Sequence, residues 1–278
     1  MPRKNPRTGS FIITKEHKRF KEFADAVKKH RYIGICYGRA GVGKTLSARR
    51  YARWDKAIDL LTTWGPRDDS DFEVYAALAR SRTVFFTPSV GRNFREIRKD
   101  LTHIMSRVDI CIEQHLEAKE SKIIKSGGPR YGEQYIELLI VDEAERLSVQ
   151  SLEYLRDIFD KIGIGLILIG MPGIEKQLSR YAQLYSRVGF AHQYRPLGAE
   201  ELKFVLTKRW KKLGFGLEET EFTDTQAIAA IIRVTGGNFR LLQRLLIQIE
   251  RVLKINELST ISDDVVEAAR STLVIGAT

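Results

Sequence analysis

Eight residues, GRAGVGKT from Gly38 to Thr45, fit the pattern G-x-x-x-x-G-K-[S/T]. Gly38, Gly41 and Gly43 let the backbone turn tightly and bring its N–H groups close to phosphate oxygens. A helix starting near Lys44 adds its positive end. Lys44 is expected to reach β- and γ-phosphates, and Thr45 to offer its hydroxyl to Mg²⁺. The expected nucleotide cradle is Gly38, Arg39, Ala40, Gly41, Val42, Gly43, Lys44, Thr45 and Leu46. A second chemical pair, Asp142–Glu143, directly follows the apolar run IELLIV at 136–141. Asp142 there can hold Mg²⁺, directly or through water. Glu143 can polarise an attacking water. The acid pair points to hydrolysis rather than to binding alone.

Three arginines extend the constellation. In TGGNFRLLQRLL, Asn238 is a suitable N-cap. That puts Arg240 in the first helical turn, where the helix dipole disfavours a cation. Arg240 is therefore expected to reach a nucleotide phosphate from a second domain; a solvated arginine is the competing reading. Arg180 and Arg187 lie in LSRYAQLYSRVGF. An arginine supplied by a neighbouring subunit can stabilise charge in phosphoryl transfer. Arg187, just before the last expected strand, is preferred for that role, with Arg180 as the alternative.

These groups need a scaffold. Apolar residues at three- and four-residue steps predict a helix over 14–29. YIGIC (32–36) is a short apolar run that enters the glycine loop, and 46–61 reads as one helix after it. Further strand-like runs are TVFFT (83–87), IELLIV (136–141), IGLILI (164–169) and FAHQY (190–194), separated by helical patterns. Such alternation predicts an α/β fold with a five-stranded parallel sheet. The continuous apolar character of IELLIV and IGLILI fits strands covered on both faces. Beyond RPLGAEEL the strand signals stop, and 202–213, 225–235, 239–253 and 262–271 read as helices. The expected organisation is a basic N-terminal arm and helix at 1–31, a phosphate-loop domain at 32–196 and a small all-α lid domain at 197–278.

Composition narrows the setting. The 278 residues carry a formal net charge of +11. Residues 1–31 hold ten Lys or Arg against three acids, a net +7. This arm is either a solvated tail or a contact to nucleic-acid phosphates. The two cysteines, Cys36 and Cys111, make no disulfide framework, which favours a reducing, cytoplasmic location. No structural zinc is expected from the histidine spacing. The longest apolar run, 162–170, is far below the roughly 18 residues of a membrane span, so a soluble protein is expected.

Two further basic segments follow. In SVGRNFREIRKDL (89–101), Arg92, Arg95 and Lys99 would share one helix face, with Glu96 and Asp100 partly offsetting them. Lys119 and Lys122 open a second basic run, KESKIIKSGGPR. Neither run interleaves aromatics for base stacking. Contact with a duplex backbone, without sequence reading, is the expectation, and a solvated face competes with it.

Together GRAGVGKT (Walker A), LLIVDE (Walker B), the arginine-bearing segment and GGNFRLL (sensor 2) resemble the AAA+ ATPases over most of residues 32–250. Within them, YGRAGVGKT and LLIVDEAERL are similar to the transposition regulators TnsC, TniB and MuB, with IstB more distant. The resemblance implies ATP bound between adjacent subunits and rings or helical filaments on double-stranded DNA. It also implies target-site selection, recruitment of a transposase, a target-selector protein as a further partner, and hydrolysis that governs disassembly. Lys44 and Thr45 would be nucleotide and Mg²⁺ residues, Asp142 the metal residue, Glu143 the catalytic acid, Arg187 the trans finger and Arg240 sensor 2. The implied location is cytoplasmic, on the nucleoid. One departure stands out: LIGMPG puts Gly170, Met171 and Pro172 where that family carries a polar sensor 1, which implies slow hydrolysis. A helicase loader and a nucleotide-dependent signalling switch without DNA are the alternatives; a small-molecule kinase fits the acid pair and helical second domain poorly.

Overall fold

The computed structural model describes residues 11–65, 68–120, 134–213, 222–258 and 260–273. Residues 1–10 of the basic arm, Lys122 and most of the second basic run lie outside them. The chain divides into two compact units. One is Phe20–Tyr194; the other takes the chain before Phe20 and after Tyr194.

In order, the chain from its first helix to Tyr194 contains α1 (Lys15–His30), β1 (Ile33–Tyr37), α2 (Lys44–Tyr51), α3 (Trp54–Thr63), α4 (Phe72–Ser81), β2 (Thr83–Phe86), α5 (Phe94–Glu120), β3 (Leu138–Val141), α6 (Val149–Ile162), β4 (Gly165–Gly170), α7 (Ile174–Leu178), α8 (Ala182–Tyr185) and β5 (Val188–Gln193). The strands form one all-parallel sheet in the order β2-β3-β4-β1-β5. Every residue of β3 and β4 is buried, as continuous apolar runs covered on both faces require. The edge strand β5 instead alternates half-buried and exposed positions.

Helix α1 lies very close to the sheet. Phe20, Phe23, Ala24 and Val27 are buried in the sheet's core. A Cβ on Gly34 of β1 would stand 2.6 Å from Val27 Cγ2 and 2.7 Å from Phe23 Cζ. From Phe20 onward the helix is thus part of the sheet unit rather than of a basic arm.

Two local expectations need correction. The single helix over 46–61 is two, because Arg53 adopts a left-handed conformation (φ 55°) between α2 and α3. The break lets Trp54 turn inward, 3% exposed and edge-on to Phe85. Burial of that ring outweighs continued helix propensity. The second correction concerns α5, which starts at Phe94. Asn93 and Glu96 form a reciprocal capping box, with Glu96 N donating to Asn93 Oδ1 (3.1 Å) and Asn93 N to Glu96 Oε2 (3.0 Å). Arg92 therefore precedes the helix and shares no helical face with Arg95 and Lys99.

The other unit is helical: α9 (Ala199–Leu213), α10 (Phe222–Thr235), α11 (Phe239–Ile255) and α12 (Asp263–Ser271). Leu202, Leu206, Ile231, Leu245, Ile249 and Val266 form its core. The first turn of α1 joins it: Lys15 N donates to Glu201 Oε1 (2.7 Å) and Arg195 N to Glu16 Oε2 (3.2 Å). Gly237 (φ +76°) approaches Leu197 so closely that a Cβ would sit 2.1 Å from its carbonyl oxygen. No helix among the described residues is long and apolar enough to cross a membrane.

The α1 contact is a stability test. Replacing Gly34 by Val drives two methyls into Phe23 and Val27, and overpacking of this kind costs about 1–3 kcal/mol. Gly34→Val should lower the unfolding free energy by that amount, seen as a lower urea midpoint with the slope unchanged.

Candidate phosphate-binding and catalytic site

The phosphate loop connects the end of β1 to α2 at the carboxyl edge of the sheet, where open parallel sheets bind ligands. Its shape follows from crowding by the chain that leaves β5. A Cβ on Gly38 would meet the Tyr194 carbonyl oxygen at 2.3 Å, so no other residue fits. Gly43 caps α2 at φ 114°, a conformation that glycine adopts without strain, with the Tyr194 hydroxyl 3.4 Å from where a Cβ would be. Tyr194 is itself tied down: its N–H donates to the Tyr37 carbonyl (2.7 Å), and its hydroxyl lies 2.8 Å from Ser47 Oγ in α2. Tyr194 and Ser47 are positioning residues that sequence reasoning missed. The only available signal was that Tyr194 closes the run FAHQY.

Lys44 is 8% exposed, and its ammonium donates to the carbonyls of Gly38 (2.5 Å) and Arg39 (3.0 Å). The cation is thus held inside the curve of its own loop. Thr45 donates its hydroxyl to Asp142 Oδ2 (2.6 Å). Asp142, 4% exposed at the end of β3, accepts the N–H of Glu143 on Oδ1 (2.9 Å), and its own N–H donates to the Phe86 carbonyl (2.8 Å). A hydroxyl and a carboxylate in direct contact beside a glycine loop match the hard oxygen donors that Mg²⁺ prefers. The donor set therefore fits a phosphate-bound divalent cation, with water and phosphate oxygens completing the shell.

Glu143 stands next to this pair in a left-handed conformation (φ 51°, ψ 44°) that a non-glycine residue adopts at a cost. Its carboxylate is ion-paired with Arg146, whose Nη1 also donates to the Pro88 carbonyl beyond β2 (3.1 Å). Arg146 was not anticipated, although i, i+3 spacing of opposite charges in DEAER was a readable signal.

Gly170 lies close under α7. A Cβ there would fall 2.3 Å from Ile174 Cδ1 and 2.8 Å from Glu145 Oε2, so a side chain at this position would have to displace both ends.

The arginines separate. Arg187, preferred from sequence as the trans finger, forms a bidentate pair with Asp160 of α6 (Nε–Oδ1 2.6 Å, Nη2–Oδ2 2.9 Å). Its Nη1 donates to the Gln183 carbonyl. The Arg187 guanidinium, aided by Arg156, holds the Asp160 carboxyl below the usual range. Arg187 is thus engaged within its own chain. Arg180 is exposed, and among the described residues its side chain has no hydrogen bond or ion pair. Asn238 caps α11, accepting from Arg240 N (3.1 Å) and Leu241 N (3.2 Å); the Arg240 side chain is exposed. Arg92 pairs with Asp100 (3.3 Å), while Arg95, Lys99 and Lys119 are exposed. The structure brings Gly38, Gly43, Lys44, Thr45, Asp142 and Glu143 together, and Arg187 lies elsewhere on the same unit.

Relatives are consistent with this arrangement. A family model described as an AAA domain matches residues 27–178. A potential ATP-binding protein of Staphylococcus aureus is 45% identical over 269 residues, 96% of this chain and 97% of that one. The Mu-like prophage FluMu DNA transposition protein B of Haemophilus influenzae is 26% identical over 219 residues, 76% of this chain and 62% of that one. Among solved structures, the RuvB Holliday junction branch migration motor of Thermotoga maritima aligns with a TM-score of 0.56 at 18% identity, covering 95% of this chain and 70% of its own. The ORC2 protein of Aeropyrum pernix in its ADP form aligns with a TM-score of 0.58 at 16% identity, again covering 95% and 70%. Those two likenesses concern the fold alone. With its phosphate loop, acid pair, parallel sheet and helical second unit, the chain belongs to the AAA domain family.

Proposed function

We propose that this protein is an ATP-hydrolysing, DNA-binding regulator of transposition. It would oligomerise on duplex DNA, select a target site and recruit or stimulate a transposase. The observation that carries the transposition reading is the similarity to a DNA transposition protein B across most of this chain. The site supplies the chemical support. The loop from Gly38 to Leu46 binds the triphosphate, with Lys44 released from its two carbonyls to the phosphates. Thr45 and Asp142 hold Mg²⁺, which neutralises phosphate charge when bound. Glu143 orients and deprotonates the attacking water once Arg146 lets it go. Arg240 keeps the sensor 2 role that the resemblance implies.

The trans finger moves to Arg180 in this reading. Arg187 would first have to give up a bidentate pair with Asp160, whereas Arg180 gives up nothing. The exposed cations Arg95, Lys99 and Lys119, with Arg92 beside them and Lys122 in the following run, make the duplex-backbone contact. Assembly would form a ring or filament, in the cytoplasm on the nucleoid.

Three measurements test these roles. Lys44→Ala should abolish nucleotide binding, whereas Glu143→Gln should retain it and lose about 10²- to 10⁴-fold in hydrolysis rate, as expected for a general base. Arg180→Ala should bind ATP normally as an isolated subunit yet lose DNA-stimulated hydrolysis by about 10³-fold. If Arg187→Ala shows that loss instead, the finger returns to Arg187. Finally, duplex binding with a slow ATP analogue should weaken steeply with salt. Arg95→Ala/Lys99→Ala should lower the log–log slope by about 2. Wild-type affinity that is equal in low and high salt would falsify the electrostatic DNA reading.

A further inference from the structure

The outer face of α11 carries an unusual composition. Apart from Arg240, which is assigned to the nucleotide, Arg244, Ile247, Arg251, Lys254 and Ile255 are all exposed. At 3.6 residues per turn these five fall within an arc of about 100°, opposite the buried Leu242, Leu245, Ile249 and Leu253. Three are cations, and the exposed acid Glu250 lies about 40° beyond the edge of the arc. Among the described residues none of these cations has an ion-pair partner, whereas Arg233 and Arg270 of the same unit share Glu267 at 3.1 and 3.0 Å. Solvated faces ordinarily intersperse both signs. Ile247 is 55% exposed and Ile255 67%.

A matching surface exists in the same sequence. The turn before α4 and the start of that helix read DDSDFE and hold Asp68, Asp69, Asp71 and Glu73 around Phe72, which is 48% exposed. Its shape is set locally: Ser70 N donates to Asp68 Oδ1 (2.9 Å) and Asp68 N to Asp71 Oδ2 (3.1 Å). Among the described residues no cation pairs with these four carboxylates. One surface thus offers three cations around two isoleucines, and the other four carboxylates around a phenylalanine.

We infer that the α11 face of one copy docks on the Asp68–Glu73 turn of a second copy. The contact is head-to-tail, so it propagates into a ring or an open filament. It rests on the proposed assembly and names surfaces for it. A second copy fits better than nucleic acid because exposed isoleucines gain nothing from phosphates, while arginines around apolar anchors are characteristic of protein interfaces.

Charge exchange tests the contact. R244E/R251E reverses one surface and D69R/E73R the other; neither touches the phosphate site or the capping carboxylates Asp68 and Asp71. In ATP-dependent assembly followed by sedimentation, each variant alone should need about ten-fold more protein or worse to reach half-assembly, since like charges then face each other. An equimolar mixture should recover to within about three-fold of wild type, because each reversed surface then meets its reversed partner. Recovery also proves that both variants fold; should either misfold, R244Q/R251Q and D69N/E73Q should each weaken assembly by a smaller factor. Wild-type assembly by either reversed variant, or no recovery in the mixture, overturns the contact. Unchanged assembly with lost duplex binding overturns it in favour of nucleic acid. A wild type that stays monomeric with ATP at all concentrations sinks the assembly reading itself, a separate outcome from the others.

Discussion

The hydrogen bond from the Thr45 hydroxyl to the Asp142 carboxylate joins residues 97 positions apart. It can form only if the ends of β1 and β3 reach the same edge of the sheet, although β4 lies between them. Parallel pairing accomplishes this, because every strand then finishes on one side. The register of Ile33 with Leu166, and of Leu166 with Leu139, holds the two ends level to within the reach of one threonine. The buried strands, the helices that cover them and the tight seat of α1 on Gly34 all serve that alignment.

The parts of this design that depend on local chemistry were legible in the sequence. Gly43 and Lys44 have fixed spacing because each meets a local constraint, the left-handed turn that opens α2 and the carbonyls of Gly38 and Arg39. The acids at 142 and 143 follow a run that is apolar for burial on two faces. The helical unit announced itself through amphipathic spacing, and Asn238 through its capping chemistry. Strand ends moved by only one or two residues at most positions, since turn chemistry and burial agree there.

What escaped the sequence depended on distant partners. The break at Arg53 is invisible until Trp54 is seen against Phe85. Tyr194 matters because β5 lies beside β1, which no local pattern states. Gly170 looked like a lost polar group, and only the fold shows that Ile174 and Glu145 crowd the place where its side chain would stand. Arg187 looked available from its position before β5, and Asp160 of α6 takes it. Arg92 is the exception: its place outside α5 was written in the N-x-x-E capping signal of Asn93 and Glu96.

The Glu143 carboxylate is held by the same kind of distant logic. Glu143 is paired with Arg146, and Arg146 is in turn anchored on the Pro88 carbonyl in the segment that leads from β2 to α5. That segment also precedes the exposed cations Arg95 and Lys99. A force on the start of α5 therefore has a short covalent and hydrogen-bonded route to the Glu143 carboxylate. Under the proposed function, this connection would let engagement of the basic face release Glu143 from Arg146, with no part played by a polar residue at Gly170.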